Sequence, residues 1–210
     1  MRLVRILILS SPAKKDRRFP FHRSLPCARP VNVVTLDLYA AFAETELMYQ
    51  AGHYGAALLV YAPLGTAVAL FGGDGVALVG AFVCVSLSTV PDLDHRLPLV
   101  AHRGPTHTVA FALLVGVTMA ALAAVLVEPG SPLAGTALVT FAFVVGTLSI
   151  VSHLLADVLT PMGIRPFWPI SSRHYSLEVT RAANPVANYA LLALGVGSVV
   201  IAATLVAVFG

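Results

Sequence analysis

Seven residues of this chain could bind a metal together: His53, Asp92, Asp94, His102, His107, His153 and Asp157. Each lies where an apolar run begins or ends. Imidazole nitrogens and carboxylate oxygens suit Zn, Mn or Fe, and a carboxylate-rich mixture often holds two ions. Asp92 and Asp94 alternate around Leu93, and Pro91 breaks the helix before them. Two carboxylates so spaced can reach one cation or bridge two. The plain alternative is a solvated helix end, but the macrodipole disfavours acids at a helix C-terminus. His102 and His107 flank the Gly104-Pro105 turn, with Thr106 as the expected N-cap of the next helix. His153 and Asp157 stand at i and i+4 and so share one helix face. Ionisable groups inside a membrane helix are costly and usually functional; a hydrogen bond joining two helices is the structural alternative. His53 gains its meaning from falling on the same side as the others. Arg103, beside His102, can grip a phosphate as a bidentate fork or simply anchor the chain at the cytoplasmic surface. Asp94, His107 and Arg103 are the expected catalytic residues. His95 is expected behind the site or in solvent, and His22 and His174 have no evident partner.

These residues need elements that bring them to one place. The chain has 210 residues, of which 58% are hydrophobic and 11% charged. A soluble domain of this size carries about 25% charged residues. Runs of roughly 20 apolar residues are the length of a membrane-spanning helix. Such runs occur at about 54–71, 75–90, 108–127, 133–156 and 186–209, the second being short at 16 residues. Frequent small residues allow close packing in lipid, and 108–127 has no polar face that a soluble bundle would require. The expected fold is therefore all-α: a polytopic bundle of about five transmembrane helices. Alternation of the spans then carries all seven candidate ligands to one face.

All 13 Lys and Arg fall on that face: eight before residue 35, then Arg96, Arg103, Arg165, Arg173 and Arg181. Basic loops stay in the cytoplasm, so the expectation is an inner-membrane, multi-pass protein with its polar site facing the cytoplasm. The pI near 9.1 does not indicate nucleic acid, because the basic residues are not spread over a domain surface. Residues 1–47 form a basic, proline-containing extension, expected to be disordered, with Thr35–Gln50 as a candidate surface helix. The alternative is that translation starts at Met48. Residues 48–210 form the transmembrane domain. Cys27 and Cys84 provide no disulfide or zinc framework. Proline and glycine make 158–184 a loop, and Phe167 and Trp168 are expected at headgroup level, as an anchor or a cleft wall.

The segments PDLDH, HRGPTHT and HLLADVLTPMG, followed by FWP, resemble the YdjM-like family of membrane-bound metal-dependent hydrolases, also described as LexA-binding and inner membrane-associated. The resemblance covers residues 48–185. It implies a helical membrane protein whose site comprises His53, Asp92, Asp94, His102, His107, His153 and Asp157. It also implies phospholipase-like hydrolysis, with membrane lipids and a phosphoester or lipid substrate as partners. The leading functional expectation is a hydrolase using a divalent metal, one ion or two, on a phosphoester such as a phospholipid headgroup. Alternatives are a non-catalytic metal-binding membrane protein and a transporter. A transporter would need buried ionisable groups deep in several spans. A haem protein would place histidines across a four-helix core without carboxylates beside them.

Overall fold

A helix satisfies its own backbone in a medium without water, so apolar runs of this length fold as helices. The computed structural model describes residues 50–96, 103–128 and 130–210. Its helices are α1 (Gln50–Leu70), α2 (Asp74–Leu87), α3 (Val109–Leu126), α4 (Pro132–Val158) and α5 (Pro185–Phe209). Among the described residues, five helices are long and apolar enough to cross a membrane, α2 being counted through the following turn as Asp74–Asp94. There is no strand among the described residues, only an isolated bridge between Ile164 and Tyr175. The protein is thus an all-α, multi-pass membrane bundle.

The boundaries differ from the sequence expectation where polar residues end an apolar run early. α1 begins at Gln50, so His53 lies inside the helix rather than ahead of it. α4 continues to Val158 and includes Asp157. The short second span is an α-helix of 14 residues, lengthened by a 3-10 helix over Pro91–Arg96. The expected cap Thr106 is replaced by Thr108, whose hydroxyl accepts from the Phe111 N–H at 3.1 Å. The reason is that Pro105–His107 forms its own 3-10 turn, which delays the helix and turns Thr106 toward another partner. The expectations for residues 1–47, including the surface helix before Gln50 and the Met48 start, lie outside the described residues.

α1 packs chiefly on α5 and α3 on α4, with α2 and α4 against α1. The α1–α5 crossing brings backbones into contact: a Cβ on Gly55 would strike the Leu191 carbonyl, and one on Gly195 would strike Gly55. Small residues permit this approach where lipid gives no hydrophobic drive between helices. The Tyr61 hydroxyl joins α1 to the following helix by donating to the Ala77 carbonyl at 2.7 Å. Large apolar side chains such as Phe82, Leu114, Val125 and Leu194 are exposed around the bundle, as a lipid-facing surface requires. The alternation of helix direction places the N-terminal ends of α1, α3 and α5 beside the C-terminal ends of α2 and α4. Residues 159–184 close this end; the Leu177 and Val179 N–H groups donate to the carbonyls of Val158 and Leu159.

Candidate metal centre

The first turn of α1 supplies His53, the last turns of α4 supply His153 and Asp157, and the 3-10 helix after α2 supplies Asp92 and Asp94. His107 comes from the turn before α3. His53, Asp94, His107, His153 and Asp157 are all buried. The Asp92 side chain is 16% exposed, so solvent reaches the cluster from its side. Two overlapping groups bring ligand atoms within 4.8 Å of one another: His53, Asp92 and His153, and His107, His153 and Asp157.

Hydrogen bonds behind the cluster decide which atoms face into it. His153 Nδ1 lies 2.7 Å from the Ser88 carbonyl oxygen. A carbonyl only accepts, so Nδ1 carries the proton and Nε2 presents a lone pair. The Thr106 hydroxyl donates to Asp94 Oδ2 at 2.8 Å, which leaves its oxygen to accept from His107 Nδ1, 3.0 Å away. That arrangement turns a second lone pair inward, on His107 Nε2. The two Nε2 atoms stand 3.1 Å apart. Asp157 Oδ2 lies 3.3 Å from each and has no hydrogen-bond donor. Asp92 Oδ1 lies 3.7 Å from His107 Nε2 and 3.6 Å from His153 Nε2. Its other oxygen is 3.5 Å from His53 Nε2. His53 stacks on His153 with ring centroids 4.0 Å apart, and its buried Nδ1 has no partner.

The acceptor atoms of His107, His153, Asp157 and Asp92 converge within a few ångströms, and such a set repels itself unless a cation lies among its members. The donor set therefore fits a divalent metal, with nitrogen and carboxylate ligands of the kind taken by Zn, Mn or Fe. Outside the spans, His107 reports the same field. Burial alone would lower its pKa. The surrounding carboxylates of Asp157, Asp92 and Asp94 outweigh burial, and the net shift is upward, so a proton and a metal compete for Nε2.

The described residues bring some of the expected ligands into the two converging groups and place others beside them. Asp94 was expected among the ligands, but neither converging group includes it among the described residues. It sits behind His107 and accepts from the Thr106 hydroxyl and, at 3.2 Å, from the Arg103 N–H. Arg103 was expected to face a phosphate, and the structure gives its guanidinium another occupation. One nitrogen donates to Asp157 Oδ1 at 2.8 Å, and another to Thr160 Oγ1 and the Gly163 carbonyl at 3.0 Å each. Arg103 holds φ at +57°, a left-handed conformation unusual outside glycine. From it the backbone N–H meets Asp94 while the side chain meets Asp157, a contact pair that holds the strain in place. His102, the remaining expected ligand, lies outside the described residues, as does the side chain of His95. His174 bonds the Met162 carbonyl.

Ser88 and Thr160 had no signal in the sequence. Ser88 acts through its backbone carbonyl, which any residue could provide. Thr160 receives Arg103 and donates to the Asp157 carbonyl at 2.8 Å. Hydrogen bonds that reach a carboxylate from outside the centre fix the direction of its remaining oxygen.

A family model described as YdjM inner membrane protein matches residues 48–209. No curated protein and no solved structure matches the chain.

Proposed function

The chain belongs to the YdjM inner membrane protein family, and from that premise we propose that it is a membrane-bound, metal-dependent hydrolase of phosphoesters such as phospholipid headgroups. The observation that carries the reading is the convergence of acceptor atoms from His107, His153, Asp157 and Asp92, with Asp157 Oδ2 lacking any donor. These residues and His53 would hold one ion or two. A divalent ion held there would supply Lewis-acid polarisation of a phosphoryl oxygen and a water acidified enough to attack at neutral pH.

The remaining residues set the shape of the site. Asp94 and Thr106 fix the His107 ring, and the Ser88 carbonyl fixes His153. Arg103 holds Asp157 Oδ1 so that Oδ2 turns inward. Asp92, the partly exposed member, marks the side from which substrate approaches. The test is hydrolysis of phosphoester substrates by purified full-length protein. Activity is expected to disappear on chelation and return with Zn, Mn or Fe. Stoichiometric metal with no hydrolysis across phosphomonoesters, phosphodiesters and phospholipids would favour a non-catalytic metal protein.

The proposed orientation places the site at the cytoplasmic face, because Arg103, Arg165, Arg173 and Arg181 all lie at that end of the bundle while Asp74 and Glu128 lie at the other. A reporter fused after Gly210 should therefore be active only outside the cytoplasm. Cytoplasmic activity of that fusion would reverse the orientation.

A further inference from the structure

Between α4 and α5 the chain folds a loop of its own. Ile164 and Tyr175 bond each other twice across the isolated bridge, at 3.0 and 2.9 Å. The loop 164–175 is turned by the Trp168 N–H on the Arg165 carbonyl and by the Ser171 N–H on the Phe167 carbonyl. The Tyr175 ring gathers its two legs. It meets Phe167 edge-on with centroids 5.9 Å apart, and the Arg173 guanidinium lies 5.5 Å from its centre. Phe167, Trp168 and Ile170 are exposed, Ile170 at 96%. Arg165 and Arg173 are exposed beside them. Neither arginine has a carboxylate partner among the described residues, and the loop contains no Asp or Glu.

The level of the loop is set by α3. The Pro166 carbonyl accepts from the Val109 N–H, at the first residue of that helix, at 2.8 Å. α3 has 18 residues, a length of about 27 Å at about 1.5 Å per residue. The hydrocarbon core of a bilayer is about 30 Å thick. The helix therefore has no turn to spare, and Val109 lies at the boundary of the hydrocarbon. Pro166, bonded to it, lies at the same level. The other leg returns to the end of α4, where the Leu177 N–H donates to the Val158 carbonyl at 2.7 Å.

We propose that this loop rests in the bilayer surface and gathers anionic phospholipid. Trp168 and Ile170 enter the interface, the level at which tryptophan is enriched. Arg165 and Arg173 pair with lipid phosphates, and the absence of an acid in the loop favours a negatively charged headgroup. This surface goes beyond the proposed hydrolysis and does not depend on it.

Trp168 is the sole tryptophan of the chain, so its fluorescence reports on this loop alone. The full chain is reconstituted in vesicles of phosphatidylcholine and phosphatidylglycerol at equal mole fraction, with bromine near the top of the acyl chain of one lipid or the other. Brominated lipid is expected to quench Trp168, and acrylamide on both sides of the membrane to quench it little. The quenching should report a preference for phosphatidylglycerol of roughly fivefold, the effect of one arginine near an anionic surface. Raised salt should weaken that preference. Arg165→Gln combined with Arg173→Gln should remove it and leave quenching by brominated phosphatidylcholine in place. Both side chains are exposed, so the double variant should fold. Equal quenching by the two lipids, or a preference undiminished in the double variant, would overturn the proposal. Trp168 open to acrylamide and unquenched by lipid would place the tip in water. Shielding from both would mean that protein, such as a second copy of the chain, covers it. Either result would overturn the proposal as well.

Discussion

Arg103→Met is expected to destabilise the protein and strip its metal, rather than only weaken substrate binding. The guanidinium is buried, and its two terminal nitrogens donate to Asp157, Thr160 and Gly163. Methionine preserves length and apolar contact but leaves the Asp157 carboxylate without its paired cation. Removing one partner of a buried ion pair costs about 3–5 kcal/mol, because the other charge remains buried and uncompensated. Loss of an outer contact that aims a ligand lowers metal affinity by roughly 10–100-fold. Both effects are measurable on detergent-purified protein, by thermal unfolding and by metal titration. Unchanged stability and metal content with a raised KM would mean that Arg103 binds the phosphoester instead.

His153→Ala is expected to produce the largest loss at the centre itself. His153 belongs to both converging groups, and its tautomer is fixed by the Ser88 carbonyl. Without it neither group keeps its full donor set. Metal affinity should fall by more than about 100-fold, beyond the effect of an outer contact, and hydrolysis should fall with it. Asp157→Asn should behave similarly, since the amide replaces an acceptor with a donor beside two lone pairs. Asp94→Asn should be milder, because Asp94 acts on His107 from behind. Membrane yield should be unaffected by His153→Ala, which marks the loss as chemical. Equal metal content in His153→Ala and the unaltered protein would show that the ligands have been misassigned.

The contrast between Asp94 and Asp157 shows how far the sequence could be read. The five spans follow from apolar runs of the length a bilayer demands, and alternation of direction then fixes which residues share an end. His53, Asp92, His107, His153 and Asp157 could be grouped on that basis alone. Their division of labour could not. Asp92 and Asp94 are alike in type and two residues apart, yet the 3-10 helix sends one toward the histidines and the other behind His107. Arg103 illustrates the same limit. An arginine beside a histidine motif suggests a phosphate fork, but a left-handed backbone directs it to Asp157 and Thr160, contacts 54 and 57 residues away in the chain. The Thr106 and Thr108 exchange of roles has a local cause, the turn initiated by Pro105. Ser88 contributes through a backbone carbonyl, a property that cannot be seen in a residue type.

Whether the buried histidines and aspartates hold a metal is decided by elemental analysis of full-length protein purified gently in detergent. At least one equivalent of Zn, Mn or Fe per chain is predicted, retained through size-exclusion chromatography. Protein that is folded, carries no stoichiometric metal and takes up none when these ions are added would contradict it.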